Sequence, residues 1–321
     1  MKKSMVATLA FAGAALLSTS ALAQTDWPAR TVNVIIGASP GGDTDFNART
    51  MAKYFEQITG TSMVITNMPG GGATIATSEV RQAEPDGYTM LFGHTGHLIV
   101  TEVSGLADYG IDDFEICCIP AVDQGAVFVT SKSSGITSTQ DLVDKTKAEP
   151  GSVIFGTELG GYSHLQGLIL QQQTGAEMRI VDTGSAAEKI TALLGDRIHV
   201  AGIAYGAIQD YHTSGEMVVL GQPNDEPNAL LGDIPTFKSQ NVDFVMNNPY
   251  IIAFPKGTDA AIVERMGEIM REITEIPEYA ADLEQGFKQP VSFYGREEGL
   301  ERLNAIRDNY MQYRDALQAA R

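Results

Sequence analysis

The chain has 321 residues, with 40 acidic side chains against 22 basic ones, a formal net charge of −18 and 43% hydrophobic residues. That balance argues against a partner held by bulk positive charge, such as nucleic acid or an anionic lipid surface. It leaves room for an anionic ligand, because local amide dipoles can override a distant net charge.

In chain order, Lys2 and Lys3 precede a short apolar stretch over residues 5–17, and Ala21-Leu22-Ala23 follows as a small-residue cleavage site. This predicts a secretory signal peptide over residues 1–23, cut after Ala23, and an exported protein of the bacterial envelope. The remaining length suits about two domains. No later segment is long and apolar enough to read as a membrane span.

Strands are predicted at residues 32–36, 62–66, 89–93, 126–130, 153–156, 178–181, 199–203, 217–220 and 250–254. Helices fall between them. Met51, Tyr54, Phe55 and Ile58 form one apolar stripe, which Gly60 ends. Ala76, Val80 and Ala83 form a second, and Ile262, Val263, Met266, Met270 and Ile273 a third. Leu303, Ile306, Tyr310, Tyr313 and Leu317 form the last. Alternation of this kind predicts α/β architecture with helices on both faces of the sheets. No repeat or low-complexity linker separates the domains, so "CCIPAVDQGAVFV" and "VMNNPYIIAFP" are read as two crossings between lobes. Lobe one is then 24–122 with 248–321, and lobe two is 123–247. The adjacent Cys117 and Cys118 lie in a strand-like apolar run and read as two buried thiols, since neighbouring cysteines bridge only through a strained ring.

Three loops of small residues each follow a strand and open a helix. Gly41-Gly42-Asp43-Thr44-Asp45 is the first; either an anion sits on its amides, or Asp43 or Thr44 simply caps the helix. Ser163 to Gln166 reads as an S-x-x-Q capping box after the glycines of "GTELGGY", and Ser185 to Glu188 as an S-x-x-E box after Gly184. Ligands of open α/β sheets bind at the carboxyl ends of the strands, where these loops fall. Nucleotide-phosphate motifs are absent: no G-x-x-x-x-G-K-[ST] occurs, and "PGGGATIA" lacks the G-x-G-x-x-G spacing. Gly161-Tyr162-Ser163-His164-Leu165 breaks the nucleophile elbow G-x-S-x-G at its last position. His94 and His97 lack a third metal ligand, and His164, His199 and His212 are scattered. No catalytic triad, metal site or cofactor is therefore expected.

Taken together, "PGGDTDFNAR", "ITNMPGGGATIA", "AEPDGYTML", "EPGSVIFGTELGGYSH", "LLGDRIHV", "DIPTF" and "FPKGT" stand in an order that resembles the Bug family, the extracytoplasmic solute receptors of tripartite tricarboxylate transporters. The resemblance runs from Trp27-Pro28 to the final helix. It implies a two-lobed periplasmic binding protein fold of type II, a Venus flytrap with two hinge crossings. It further implies a monomeric receptor that catalyses nothing, closes around a small carboxylate and delivers it to membrane permease subunits. The carboxylate would be a di- or tricarboxylate, an aromatic acid or an amino acid, held by loop amides, hydroxyls and bridging waters. Carried over by position, Ser39, Gly41, Gly42, Thr44 and Asp45 would face it from the first loop, and His94, Thr95 and Gly96 from the next. Thr157, Gly161, Ser163, His164, Gly184 and Ser185 would approach from lobe two. Where many members carry V-P-Y-K-G, this chain reads Ile180-Val181-Asp182-Thr183-Gly184, and Ile203 replaces a frequent aspartate. Asp182 either meets an amino or hydroxyl group of the ligand or caps its own turn. The rival functions are a ligand-sensing adaptor for a membrane signalling protein and an exported hydrolase built on His94, Ser163 or His164.

Overall fold

The computed structural model describes residues 26–319, so the signal-peptide expectation lies outside the described residues. Two mixed sheets form the frame. The first contains β1 (Val32–Ile36), β2 (Met63–Asn67), β3 (Thr89–His94), β4 (Phe114–Cys118), the short β5 (Val122–Asp123) and β11 (Asn248–Pro255). Its order is β2-β1-β3-β11-β4, with β5 also on β11. β1 runs parallel to β2 and β3, whereas β11 is antiparallel to β3, β4 and β5. The second sheet contains β6 (Ala126–Ser131), β7 (Ile154–Thr157), β8 (Arg179–Asp182), β9 (Val200–Ala204) and β10 (Met217–Gly221), in the order β10-β6-β9-β7-β8. Elements on the first sheet are called lobe one below, and those on the second lobe two. The chain passes between them after β5 and again before β11, as in a periplasmic binding protein.

Lobe one carries α1 (Asp43–Thr59), α2 (Thr74–Gln82), the single-turn α3 (Thr101–Ser104), α8 (Ala260–Thr274), α9 (Pro277–Phe287), α10 (Arg296–Met311) and α11 (Arg314–Ala319). Lobe two carries α4 (Thr139–Ala148), α5 (Tyr162–Thr174), α6 (Ala186–Leu194) and α7 (Tyr205–Thr213). The apolar stripes read from sequence are the buried faces: Met51, Tyr54 and Phe55 of α1 pack with Met266, Met270 and Ile273 of α8 against the outer side of the first sheet. A separate cluster under α6 and α7 holds Leu193, Ile198, Ala201 and Ile208. The remaining core bridges the lobes, from Leu98, Tyr310 and Leu317 to Phe128, Phe155 and Leu165. Cys117 and Cys118 are buried free thiols 3.5 Å apart, as expected, and burial pushes the Cys118 thiol up.

The lobes are closed on each other. Ser104 Oγ of lobe one donates to Gly160 O of lobe two at 3.0 Å, and Asn228 Nδ2 donates to Lys288 O at 2.8 Å. Glycines line the seam: a Cβ on Gly96 would lie 2.8 Å from Tyr162 Cβ, and one on Gly206 would lie 2.6 Å from Gly286 O. Any larger residue there forces backbone apart.

Candidate functional site

The carboxyl ends of β1, β3, β7 and β8 point into the seam, and each hands over to a helical segment there. Three of these four segments lack a side-chain N-cap: the turn over Gly96–Val100 after β3, α1 and α5. α1 begins after Gly42 and α5 after Gly161, and neither glycine supplies a side-chain acceptor for the first-turn amides. Such amides lack an internal partner and carry the positive end of the macrodipole. Asp43 and Thr44 do not cap α1; Thr44 is buried in its first turn.

Asp45 holds the loop together. Its carboxylate accepts from Gly41 N at 2.9 Å, Asn67 Nδ2 at 2.9 Å and Arg49 Nε at 2.9 Å. Burial pushes its pKa up, but the Arg49 hydrogen bond and the other donors outweigh this and hold it below the usual carboxylate range. Ser39, Gly41 and Gly42 line the same loop. In the loop after β3, Thr95 Oγ1 donates to Asn248 Oδ1 at 2.9 Å, and Gly96 N donates to His94 Nδ1 at 3.0 Å. Its hydroxyl also approaches Tyr310, which interacts in turn with Tyr162 of lobe two.

The Ser163 capping box does not form. The helix starts two residues earlier than that box requires, with Gly161 as its N-cap. The Ser163 hydroxyl is taken instead by Thr157 Oγ1 at 2.9 Å, Glu158 N at 3.0 Å and Lys189 Nζ at 3.1 Å. The Ser185 box does form: Ser185 N donates to Glu188 Oε2 at 2.7 Å. Gly184 serves that box, since a Cβ there would lie 2.3 Å from Glu188 Oε2. Asp182 is exposed at the end of β8 and accepts from Leu159 N at 3.4 Å. His164 is fully buried; its Nδ1 accepts from Gly160 N at 3.0 Å.

The sequence reading weighed Asp43 only as a helix cap and His97 only as a metal ligand, and it passed over Asp123, Tyr162, Lys189 and Tyr250 as site groups. Asp43 Oδ2 accepts from Tyr250 Oη at 2.7 Å. Asp123 is buried at the first crossing, and its Oδ1 accepts from Gly125 N at 2.8 Å. Burial, then the charge of Asp43, raise its carboxyl to about 7, against the Gly125 and Ala126 amides. Lys189 is 5% exposed, on the inner face of α6 with Ala192 and Leu193. Burial pushes its ammonium down, opposed by the charges of Glu158, Asp43, Asp182 and Glu188. The i, i+3, i+4 spacing to Ala192 and Leu193 was the available signal that this lysine faces inward.

His94 and His97 stack with ring centroids 3.8 Å apart, and the Tyr162 ring lies 5.9 Å from His94. Burial lowers His94 to about 4, and burial with the charge of His94 takes His97 well below its ordinary value. A folded-state pKa below the unfolded one means stability present above about pH 6.5 and lost as pH falls towards 4. An NMR titration of the closed protein is expected to put the His94 midpoint near pH 4; a midpoint at an ordinary histidine value would show the ring solvated. Among the described residues, no three His, Cys, Asp or Glu side chains gather as a metal-ligand set.

The model of the tripartite tricarboxylate transporter family receptor matches residues 47–307. The chain belongs to that family. Its members are receptors rather than enzymes. BugT of Bordetella pertussis is 26% identical over 250 residues, covering 77% of each chain. A protein of Cupriavidus necator, encoded in the gbd 5′ region, is 26% identical over 285 residues, 88% of this chain and 86% of that one. Among solved structures, an R. palustris protein with adipate superposes with a TM-score of 0.83 at 24% identity, covering 91% of this chain and 98% of that one. The periplasmic binding protein BugD superposes with a TM-score of 0.81 at 21% identity, over 91% and 98% of the two chains. These superpositions support the two-lobed fold of this receptor.

Proposed function

We propose that this receptor works in the periplasm, closes around a small carboxylate and delivers it to the permease subunits of a tripartite tricarboxylate transporter. In this reading residues 24–122 and 248–321 form lobe one, residues 123–247 form lobe two, and the protein acts as a monomer. The observation that carries the reading is the pair of helix ends without a side-chain cap, α1 from lobe one and α5 from lobe two, with the Ser163 hydroxyl in the first turn of α5. Neither end satisfies its own first amides by a side-chain cap, so an anion there gains donors from both lobes. Its binding then favours the closed arrangement over the open one. Hydrogen bonds to charge contribute roughly 1.5–3 kcal/mol each, and a few suffice for micromolar affinity, about −8 kcal/mol. Binding of adipate by one family relative and malate by another is consistent with such a ligand.

The test is a thermal-shift screen of the mature protein against di- and tricarboxylates, aromatic acids and amino acids. A ligand bound by the native state alone raises the melting temperature by mass action. One acid is expected to give a clear shift, and a Thr44→Ala, Ser163→Ala double variant to abolish it. Silence across the whole panel would refute the carboxylate reading.

A further inference from the structure

The closed seam contains charges of opposite sign that the protein leaves unbalanced. On the lobe-two side, Lys189 is 5% exposed, yet its ammonium has a single acceptor among the described residues, Ser163 Oγ at 3.1 Å. An ammonium has three donors, so two stay unmatched among the described residues, although the charge of the nearby Glu158 acts on it. No carboxylate among the described residues lies within ion-pair distance of it. The Ser163 hydroxyl lies in the first turn of the open end of α5, and with the Thr157 proton directed to Ser163 Oγ or Glu158 O, the Ser163 proton is the one free to be donated to an anion.

At the start of α1 and at the first crossing the imbalance is reversed. Asp43 accepts from Tyr250 Oη at 2.7 Å, and the buried Asp123 accepts from Gly125 N at 2.8 Å. Neither carboxylate forms an ion pair with a cation among the described residues. The repulsion is felt: the charge of Asp43 is among the causes that raise the Asp123 carboxyl. The adjacent His97 is 6% exposed, and its Nδ1 lacks a hydrogen-bond partner among the described residues. Burial keeps that ring from taking up the compensating positive charge. Asp43 also acts on Lys189, so the two ends lie within electrostatic reach of each other.

A simple dicarboxylate would satisfy Lys189 and meet repulsion from Asp43 and Asp123. A zwitterion would satisfy both ends. Building on the carboxylate-receptor reading, we infer that the ligand carries an ammonium group as well as a carboxylate. Its carboxylate rests on Lys189, Ser163 and the α5 N-terminus, and its ammonium lies between Asp43 and Asp123. Asp182, exposed at the end of β8, is not needed for the amino group.

The experiment is calorimetric titration of the mature protein with three matched pairs: aspartate against succinate, glutamate against glutarate, and phenylalanine against 3-phenylpropionate. At least one amino acid is expected to bind tenfold or more tightly than its partner. Asp123→Asn keeps an acceptor for Gly125 N, and Asp43→Asn keeps one for Tyr250 Oη, so both variants remove charge with little change of shape. Each is expected to cut the amino preference at least tenfold, with the ligand-free melting temperature held as a check on folding. Lys189→Met is expected to weaken an acid and its amino derivative alike. Equal or tighter binding of the unaminated acids overturns the inference and leaves the carboxylate reading standing. A preference that survives both Asn variants also overturns it. No binding by either member of any pair, together with silence in the wider acid panel, overturns both.

Discussion

Gly206→Ala is expected to weaken ligand binding by roughly 5- to 150-fold while leaving the ligand-free protein at least as stable as the parent. Gly206 lies in the first turn of α7, and a methyl there would meet Gly286 O at 2.6 Å and Phe287 Cα at 3.0 Å across the seam. Both contacts are backbone, so no side-chain rotation relieves them. Forcing atoms into a packed contact costs about 1–3 kcal/mol, which sets that range of affinity. If opening separates α7 from α9, the methyl loses these neighbours, and alanine is a better helix former than glycine by about 1 kcal/mol. Opposite signs for binding and stability are therefore the signature of a block to closure. Calorimetry gives the first, and thermal melting the second. Small-angle scattering with ligand should show the wider radius of the open form. Unchanged affinity would mean that α7 and α9 do not meet in the bound state.

Phe128→Ala is expected to cost about 3–5 kcal/mol, the range for removing a buried phenylalanine. Phe128 is fully buried on β6, with ring centroids 5.2 Å from both Phe237 and Phe244 and 6.0 Å from Phe155. Two of these contacts are edge-on, the favourable geometry for aromatic pairs. Phe155 comes from β7, whereas Phe237 and Phe244 belong to one segment and pack on each other at 5.2 Å, so the gap is walled by two separate parts of the lobe and does not close by moving one of them. A fall in melting temperature of roughly 6–20 °C follows if the chain unfolds as one unit. If the lobes unfold separately, the fall belongs to the lobe-two transition alone. A cost below about 1 kcal/mol would show that the aromatic cluster relaxes around the gap.

The strand pattern was readable because short apolar runs lay between glycine and proline signals; β1 spans the same residues in sequence and structure, and the other predicted strands differ mainly at their ends. Several helices were harder to see. α7 buries only Ile208 in its interior, too little for a periodic stripe, and α4 starts on a Ser138 cap followed by mostly polar residues. α5 was recognised, but its start was misplaced, because a serine that looks like a cap in sequence had been recruited by Thr157 and Lys189. The loops that open α1 and α5 were legible through their glycines. The charges that meet in it were not: Asp43, Asp123 and Lys189 stand far apart along the chain, and only the closure of two sheets brings them together. Lys189 was easy to misjudge, since a lysine beside a glutamate on a helix usually marks a solvated face.

The position of β11 has a consequence for how the chain matures. β11 lies between β3 and β4 in the interior of the first sheet, with Tyr250 in register with His94, yet all of lobe two separates it from both in sequence. Lobe two is contiguous and can assemble its own sheet as soon as β10 is available. The first sheet must wait, with β3 and β4 each offering an unpaired edge to any passing strand. Pairing across so long a loop is slow, because the chain entropy is spent before the contact forms. The aggregation-prone interval in the life of this protein is therefore the one between completion of lobe two and arrival of β11.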